Sequence, residues 1–172
     1  MKSRTLALLA ALALTVACAA PSPAVDTAKP VKIGVAGAHS GDLASYGLPT
    51  LKAAQLIVKD INERGGINGR PVELLIEDDV CKPEIATNTA TKLVSAGAHA
   101  VIGHICSGPT RAALPIYHAA GIPVVSPSAT TPSLTQGGEY PNFFRTIAAD
   151  DAQARTQVDF ALTSLKAKKI AV

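Results

Sequence analysis

Two short stretches concentrate the residues able to do chemistry. The first is Gly103-His104-Ile105-Cys106-Ser107-Gly108-Pro109. Ser107 and Gly108 stand just before Pro109, where a helix can start. A helix start gathers free backbone N–H groups and the positive end of the dipole, which favours an anion such as a carboxylate. Ser107 adds a hydroxyl donor; read locally, it serves equally well as a helix N-cap. The second stretch is Ser126-Pro127-Ser128-Ala129-Thr130-Thr131-Pro132. Its small hydroxyls, set beside those of the first stretch, suit an uncharged or zwitterionic small ligand. Taken alone it is an ordinary Ser/Thr/Pro turn.

Cys81 and Cys106 close two successive apolar runs. Neighbouring strand ends bring Cα atoms within bridging distance, and the secretory leader described below places the chain where disulfides persist. A Cys81–Cys106 bridge is therefore expected. It has two rivals: a metal site made of Cys81, Cys106 and His104, which lacks a fourth ligand and close Cys spacing, and a catalytic Cys106–His104 pair, which needs a free thiol. Asp78 and Asp79 are adjacent and point to opposite sides of an extended chain, so a turn or cap is expected of them. His39, His99 and His118 read as packing or surface residues. Gly34, Gly37 and Gly41 lack dinucleotide-fingerprint spacing, and no nucleophile elbow is present. No cofactor, no metal and no enzymatic activity are expected.

The elements that must position these loops alternate along the chain. Val31–Gly37 is a short apolar strand, followed by a loop over Ala38–Pro49. Leu51, Ala54, Ile57, Val58 and Ile61 recur at helical spacing up to Gly65-Gly66. Asn68-Gly69 is a tight-turn pair. Pro71–Glu77, His99–Gly103, Ile122–Val125 and Asn142–Ile147 predict four more strands. Pro83–Ala96, Pro109–Ala120 and Asp150–Leu165 predict helices, with Pro115 a place for a bend. Lys169–Val172 opens a further strand. This order predicts an α/β fold, a parallel sheet flanked by helices on both faces, with ligands beyond the carboxyl ends of the strands.

The chain has 172 residues, a formal net charge of +3, 3% aromatic residues and no Trp. That balance is too mild for a basic nucleic-acid face. Met1–Arg4 and the apolar run Thr5–Ala17 form a secretory signal peptide, residues 1–17. The run is too short for a membrane span, which needs about 20 residues. Removing it deletes Lys2 and Arg4 and lowers the net charge to +1. Thr15-Val16-Ala17-Cys18 resembles a lipobox, in which Cys18 is lipidated; cleavage after Ala17, Ala19 or Ala20 is the alternative. Residues 18–30, with Pro21, Pro23 and Pro30, read as a lipid-anchored tether.

A resemblance emerges from the ordered set Asp60-Ile61-Asn62, Gly65-Gly66-Ile67-Asn68-Gly69, Asp78-Asp79-Val80-Cys81, Gly103–Ser107 and Ser126–Thr130. From Val31 to Val172 the chain resembles the branched-chain amino-acid (Leu/Ile/Val) binding proteins. These are type I periplasmic binding proteins, the substrate-binding subunits of ABC importers. The resemblance implies that Ser107 takes the ligand α-carboxylate and Thr130 contacts both carboxylate and ammonium. The Ser128 carbonyl would accept from the ammonium. Tyr46 would flank the ligand, Ile105 and Cys106 would wall its side chain, and Cys81–Cys106 is the family disulfide. It further implies an amino-acid ligand, a membrane ABC permease as partner, and a periplasmic or cell-surface location. Residues 31–172 then correspond to a partial N-terminal ligand-binding lobe of a C-terminally truncated chain, expected to bind amino acids weakly or not at all. A sensor module of the same fold, for an amide, urea or aromatic acid, is the alternative.

Overall fold

Short apolar runs between Gly and Pro punctuation become five strands, with a helix after each. The computed structural model describes residues 29–171. The expected leader, Cys18, the tether up to residue 28 and Val172 lie outside the described residues. In order the elements are β1 (Val31–Gly37), α1 (Ala44–Glu63), β2 (Val72–Asp78), α2 (Pro83–Ser95), β3 (Ala100–Ile102) and α3 (Ser107–Ala119). They continue with β4 (Val124–Ser126), α4 (Ser133–Gln136), β5 (Phe143–Arg145) and α5 (Asp150–Thr163). The strands form one sheet in the order β2-β1-β3-β4-β5, with every pair parallel. The α/β parallel-sheet expectation holds. The order reverses between β1 and β3, which is where such a sheet opens a ligand crevice.

Right-handed crossovers put α1 on one face and α2 and α3 on the other, and α2 and α3 pack together. Alternate strand residues Ala36, Val101, Val124 and Phe143 meet Leu93 of α2 and Leu114 and Tyr117 of α3 in the buried core. The intervening residues point to the other face. There Val125 and Phe144, aligned in register, remain 37% and 54% exposed. α5 buries none of its residues.

Three expectations change. The Ala38–Pro49 loop is shorter, because α1 begins at Ala44 and carries Pro49 inside it. Gly47 allows this: a Cβ there would stand 1.9 Å from the Ala38 carbonyl oxygen. That close packing outweighs the one donor lost at Pro49. Only Phe143–Arg145 of the expected Asn142–Ile147 strand pairs with β4. Lys169–Ala171 lie in no strand; a strand exists by pairing, and the helix leading to them is not docked on the sheet. The Gly65-Gly66 stop holds, with both glycines at positive φ and the Gly66 N–H bonded to the Ile61 carbonyl at 2.9 Å. Asn62 then grips both polar backbone atoms of Val72, at 2.9 and 2.7 Å, and so sets the start of β2.

The strand ends are tied by three devices. Gly103 lies at φ +126°, and a Cβ on it would stand 1.9 Å from the Ala36 carbonyl oxygen, so β1 and β3 approach through it. Asp78 Oδ1 accepts from the N–H groups of His39 and Val80, both at 2.9 Å. Cys81 and Cys106 form the expected disulfide with Cα atoms 5.7 Å apart, closing 25 residues.

Gly103→Ala is expected to destabilise the fold by about 3 kcal/mol or more. Gly97→Ala, at positive φ but with nothing within 4 Å, is expected to cost about 1 kcal/mol. Urea unfolding compares the two. Serine at both Cys81 and Cys106 is expected to cost about 3 kcal/mol by the same assay. Burial alone would push the Asp78 carboxyl up, but hydrogen bonds from Ser40, Val80 and His39 outweigh it and hold the carboxyl below its ordinary value. A depressed folded pKa contributes stability above the unfolded value, about 4, and loses it as pH falls through the folded value. Asp78→Ala is therefore expected to flatten the acid limb of melting temperature against pH, below about pH 4.

Candidate functional site

The loop after β3 builds the first half of the site. α3 begins at Ser107, two residues before the expected Pro109, and its N-cap is Cys106, in extended conformation without a side-chain cap bond. Ser107 is therefore not the N-cap. Its Oγ instead accepts the N–H of Thr131, at 3.2 Å, from the loop after β4. The first turn is closed by Thr110, whose N–H and hydroxyl both reach the Cys106 carbonyl, at 3.0 and 2.8 Å. Pro109 has no N–H, so the Ser107 and Gly108 amides are the donors that this turn can present.

The loop after β4 builds the second half. The Ser126 hydroxyl donates to the His104 carbonyl at 2.6 Å and accepts from the Ala129 N–H at 2.9 Å. The Ser128 hydroxyl donates to the Ile105 carbonyl at 2.6 Å, so it is engaged within the protein. Arg145, at the end of β5, donates to the carbonyls of Ala129 and Thr131 at 3.1 and 3.0 Å and also bonds the Thr135 hydroxyl. Thr130 sits between the two gripped carbonyls, and its own carbonyl accepts the Asp150 N–H at 3.1 Å. It borders an open groove with Ile147, Ala148, Ala152 and Gln153.

Behind both loops lies a buried polar chain. Asp79, His104, Thr110, Tyr117 and Ser126 are all sealed from solvent. His104 Nδ1 meets Asp79 Oδ2, and Nε2 meets the Tyr117 hydroxyl at 3.1 Å. Asp79 Oδ1 accepts the Cys81 N–H at 2.7 Å. Burial, then the nearby Asp79 and Glu77 carboxylates, push the Tyr117 hydroxyl well above its usual range. Both rivals of the disulfide fail here. Cys106 has no thiol to ionise, and both His104 nitrogens are engaged inside the protein. Among the described residues no cluster of three or more His, Cys, Asp or Glu side chains is placed to hold a metal. His99 and His118 do pack locally, against the Lys32 N–H and the Asn142 side chain. His39 differs: both its ring nitrogens are buried without a partner, and burial, against the pull of Asp78 and Asp79, lowers its pKa.

Ser107, Ser128 and Thr130 thus come together on two linked loops. Ile105 is buried, and its side chain occupies the space a Cβ on Gly37 would need. Cys106 is half-buried and bonded to Cys81. Tyr46 lies in the first turns of α1, 68% exposed, and no described contact joins it to Ser107 or Thr130. Sequence reasoning missed Arg145 and the Asp79–His104–Tyr117 chain. The only signal was Asp79 and His104 following apolar runs; Tyr117, inside α3, and Arg145, inside β5, carried none.

The fold agrees with what comparison finds. The chain is 39% identical over 145 residues to the Leu/Ile/Val-binding protein of Escherichia coli K12, covering 84% of this chain and 39% of that protein. It thus spans about two fifths of the length of this relative. A crystal structure of the branched-chain amino acid transporter substrate binding protein LivJ from Streptococcus pneumoniae, in complex with isoleucine, superposes with a TM-score of 0.75 at 38% identity. That match covers 81% of this chain and 40% of the other. A solute binding protein of an ABC transporter from R. palustris, in complex with benzoate, gives 0.70 at 30% identity, over 78% and 37% of the two chains. The profile of the family described as periplasmic binding protein matches residues 30–172. With that match running from before β1 to the end of the sequence, the chain belongs to the periplasmic binding protein family.

Proposed function

We propose that residues 31–172 are the N-terminal lobe portion of an extracytoplasmic solute-binding protein. It captures branched-chain or related small amino acids for an ABC importer. The observation that carries the reading is the Ser107 Oγ to Thr131 N–H bond, which sets a helix start beside the Thr130 loop. In this reading the Ser107 hydroxyl and N–H hold the ligand α-carboxylate, and the positive end of α3 favours that charge. Thr130 contacts carboxylate and ammonium. The Ser128 carbonyl accepts from the ammonium, a role that tolerates an engaged hydroxyl. Tyr46, Ile105 and Cys106 stand around the ligand side chain. No bond is made or broken: the protein binds, and a membrane permease receives. Residues 1–17 act as the signal peptide, Cys18 carries the lipid, and residues 18–30 tether the domain outside the cytoplasmic membrane.

A second reading keeps the carboxylate site and changes the ligand. The benzoate-bound neighbour supports an aromatic acid, taken up or sensed. Both readings share Ser107, Gly108 and Thr130, and they differ at the Ser128 carbonyl, which an ammonium needs and benzoate does not.

Amide NMR of the 15N-labelled chain tests this. Ser107 and Thr130 stand on an open face, so L-leucine is expected to bind with Kd on the order of millimolar. It is expected to shift the amides of Ser107, Gly108, Thr130 and Thr131, and D-leucine to do so less. Ser107→Ala is expected to weaken the effect at least about tenfold, the worth of a hydrogen bond to a charged group. Benzoate shifting these amides, with leucine inert, would replace the first reading by the second. Shifts confined to residues away from both loops contradict both.

A further inference from the structure

His104 touches no ligand in the reading above, yet bonds from the ends of β2 and β4 and from α3 meet at it. Its ring joins the end of β2, through Asp79, to α3, through Tyr117. Its carbonyl takes the Ser126 hydroxyl from the end of β4 at 2.6 Å, and the Thr110 hydroxyl of α3 lies at 3.3 Å. Ser107 follows three residues later. The polar side chains in this knot are fully buried, so water cannot substitute for a lost partner and each hydrogen bond must run in one direction.

That direction can be worked out. Asp79 Oδ1 already accepts the Cys81 N–H, and a carboxylate oxygen is an acceptor. Asp79 Oδ2 therefore calls for a hydrogen on His104 Nδ1. Tyr117 is held as a protonated hydroxyl, and its one hydrogen has an acceptor in His104 Nε2 at 3.1 Å. A hydrogen on Nε2 would make the Tyr117 oxygen the acceptor and leave the buried Tyr117 hydrogen without an acceptor. The chain thus reads Tyr117 O–H to Nε2, and Nδ1–H to Asp79. We propose that His104 is the positioning residue of the site: locked with its hydrogen on Nδ1 between Asp79 and Tyr117, it fixes Ser107 against the Thr130 loop. Its consequence for affinity rests on the binding reading; the tautomer and the loop coupling do not.

The test uses the full chain and needs no ligand. Long-range 1H–15N correlation of the His104 ring, and amide exchange of Thr131 relative to core Val35, are measured in wild type, Asp79→Asn and Tyr117→Phe. Wild type is expected to show a protonated Nδ1 and a bare Nε2. Asn at position 79 presents an amide donor, so the ring is expected to switch to Nε2–H. The Thr131 amide should then exchange about tenfold faster relative to Val35, as expected of local opening. Tyr117→Phe is the milder variant, should Asp79→Asn not fold. It is expected to keep Nδ1–H, leave Nε2 unpaired, and loosen Thr131 by a smaller factor in the same direction. A wild-type ring bearing hydrogen on Nε2 overturns the proposal. So does an unchanged Thr131-to-Val35 ratio in the folded variants, since general destabilisation moves both amides alike. Leucine titration of the same samples separates the two readings. A wild type inert to leucine removes the ligand and leaves the tautomer and exchange results to decide this proposal.

Discussion

Backbone polar groups just beyond short strands are the constraint on which the candidate site depends. β3, β4 and β5 are three residues long each, so the ladder ends early and the chain continues as loop within the protein. Buried N–H and C=O groups there must still be paired. Side chains do it. Ser126, Ser128, Thr110, Ser107 and Arg145 each bond backbone atoms of a loop that follows β3 or β4. The hydroxyls that a sequence reader takes for ligand contacts are therefore largely scaffold. Ser107 does both jobs in our account, since an oxygen that accepts one N–H keeps a hydrogen to donate.

The same constraint explains the small residues. Gly37 makes room for the Ile105 side chain, and Gly103 lets β3 lie against the Ala36 carbonyl. Larger residues would separate the strand ends that the disulfide and Asp78 hold together. Packing is close on the sheet face that α2 and α3 cover and looser on the other face. Val125, Phe144 and the apolar residues of α5 remain in contact with solvent. Apolar surface left exposed forfeits roughly 25 cal/mol per Å². The stability of the described domain therefore comes mainly from the core that α2 and α3 cover.

Much of the fold was legible because local signals and tertiary needs agree. Apolar runs gave the strands, and Gly65-Gly66 ended α1 as read. Asn68-Gly69 turned as read, joined by a bridge between Ile67 and Arg70. The start of α1 was not legible, because Pro49 is a local stop signal and the contact that overrides it, Gly47 on Ala38, is tertiary. Lys169–Ala171 carry strand composition without a strand partner. In the candidate site, Ser107, Ser128 and Thr130 were singled out by residue type and by the family resemblance. Asp79, His104 and Tyr117 were not, because their roles arise from contacts 25 and 13 residues apart that no local pattern encodes. Arg145 escaped for the same reason.

The central claim is that the two loops are a preformed surface, rigid before any ligand arrives. Backbone 15N relaxation of the ligand-free chain tests it most directly. Order parameters of about 0.85 are expected for Ser107–Thr110 and Ser126–Thr131, the value of rigid backbone. Values below about 0.6 over these residues, typical of flexible segments, would contradict it.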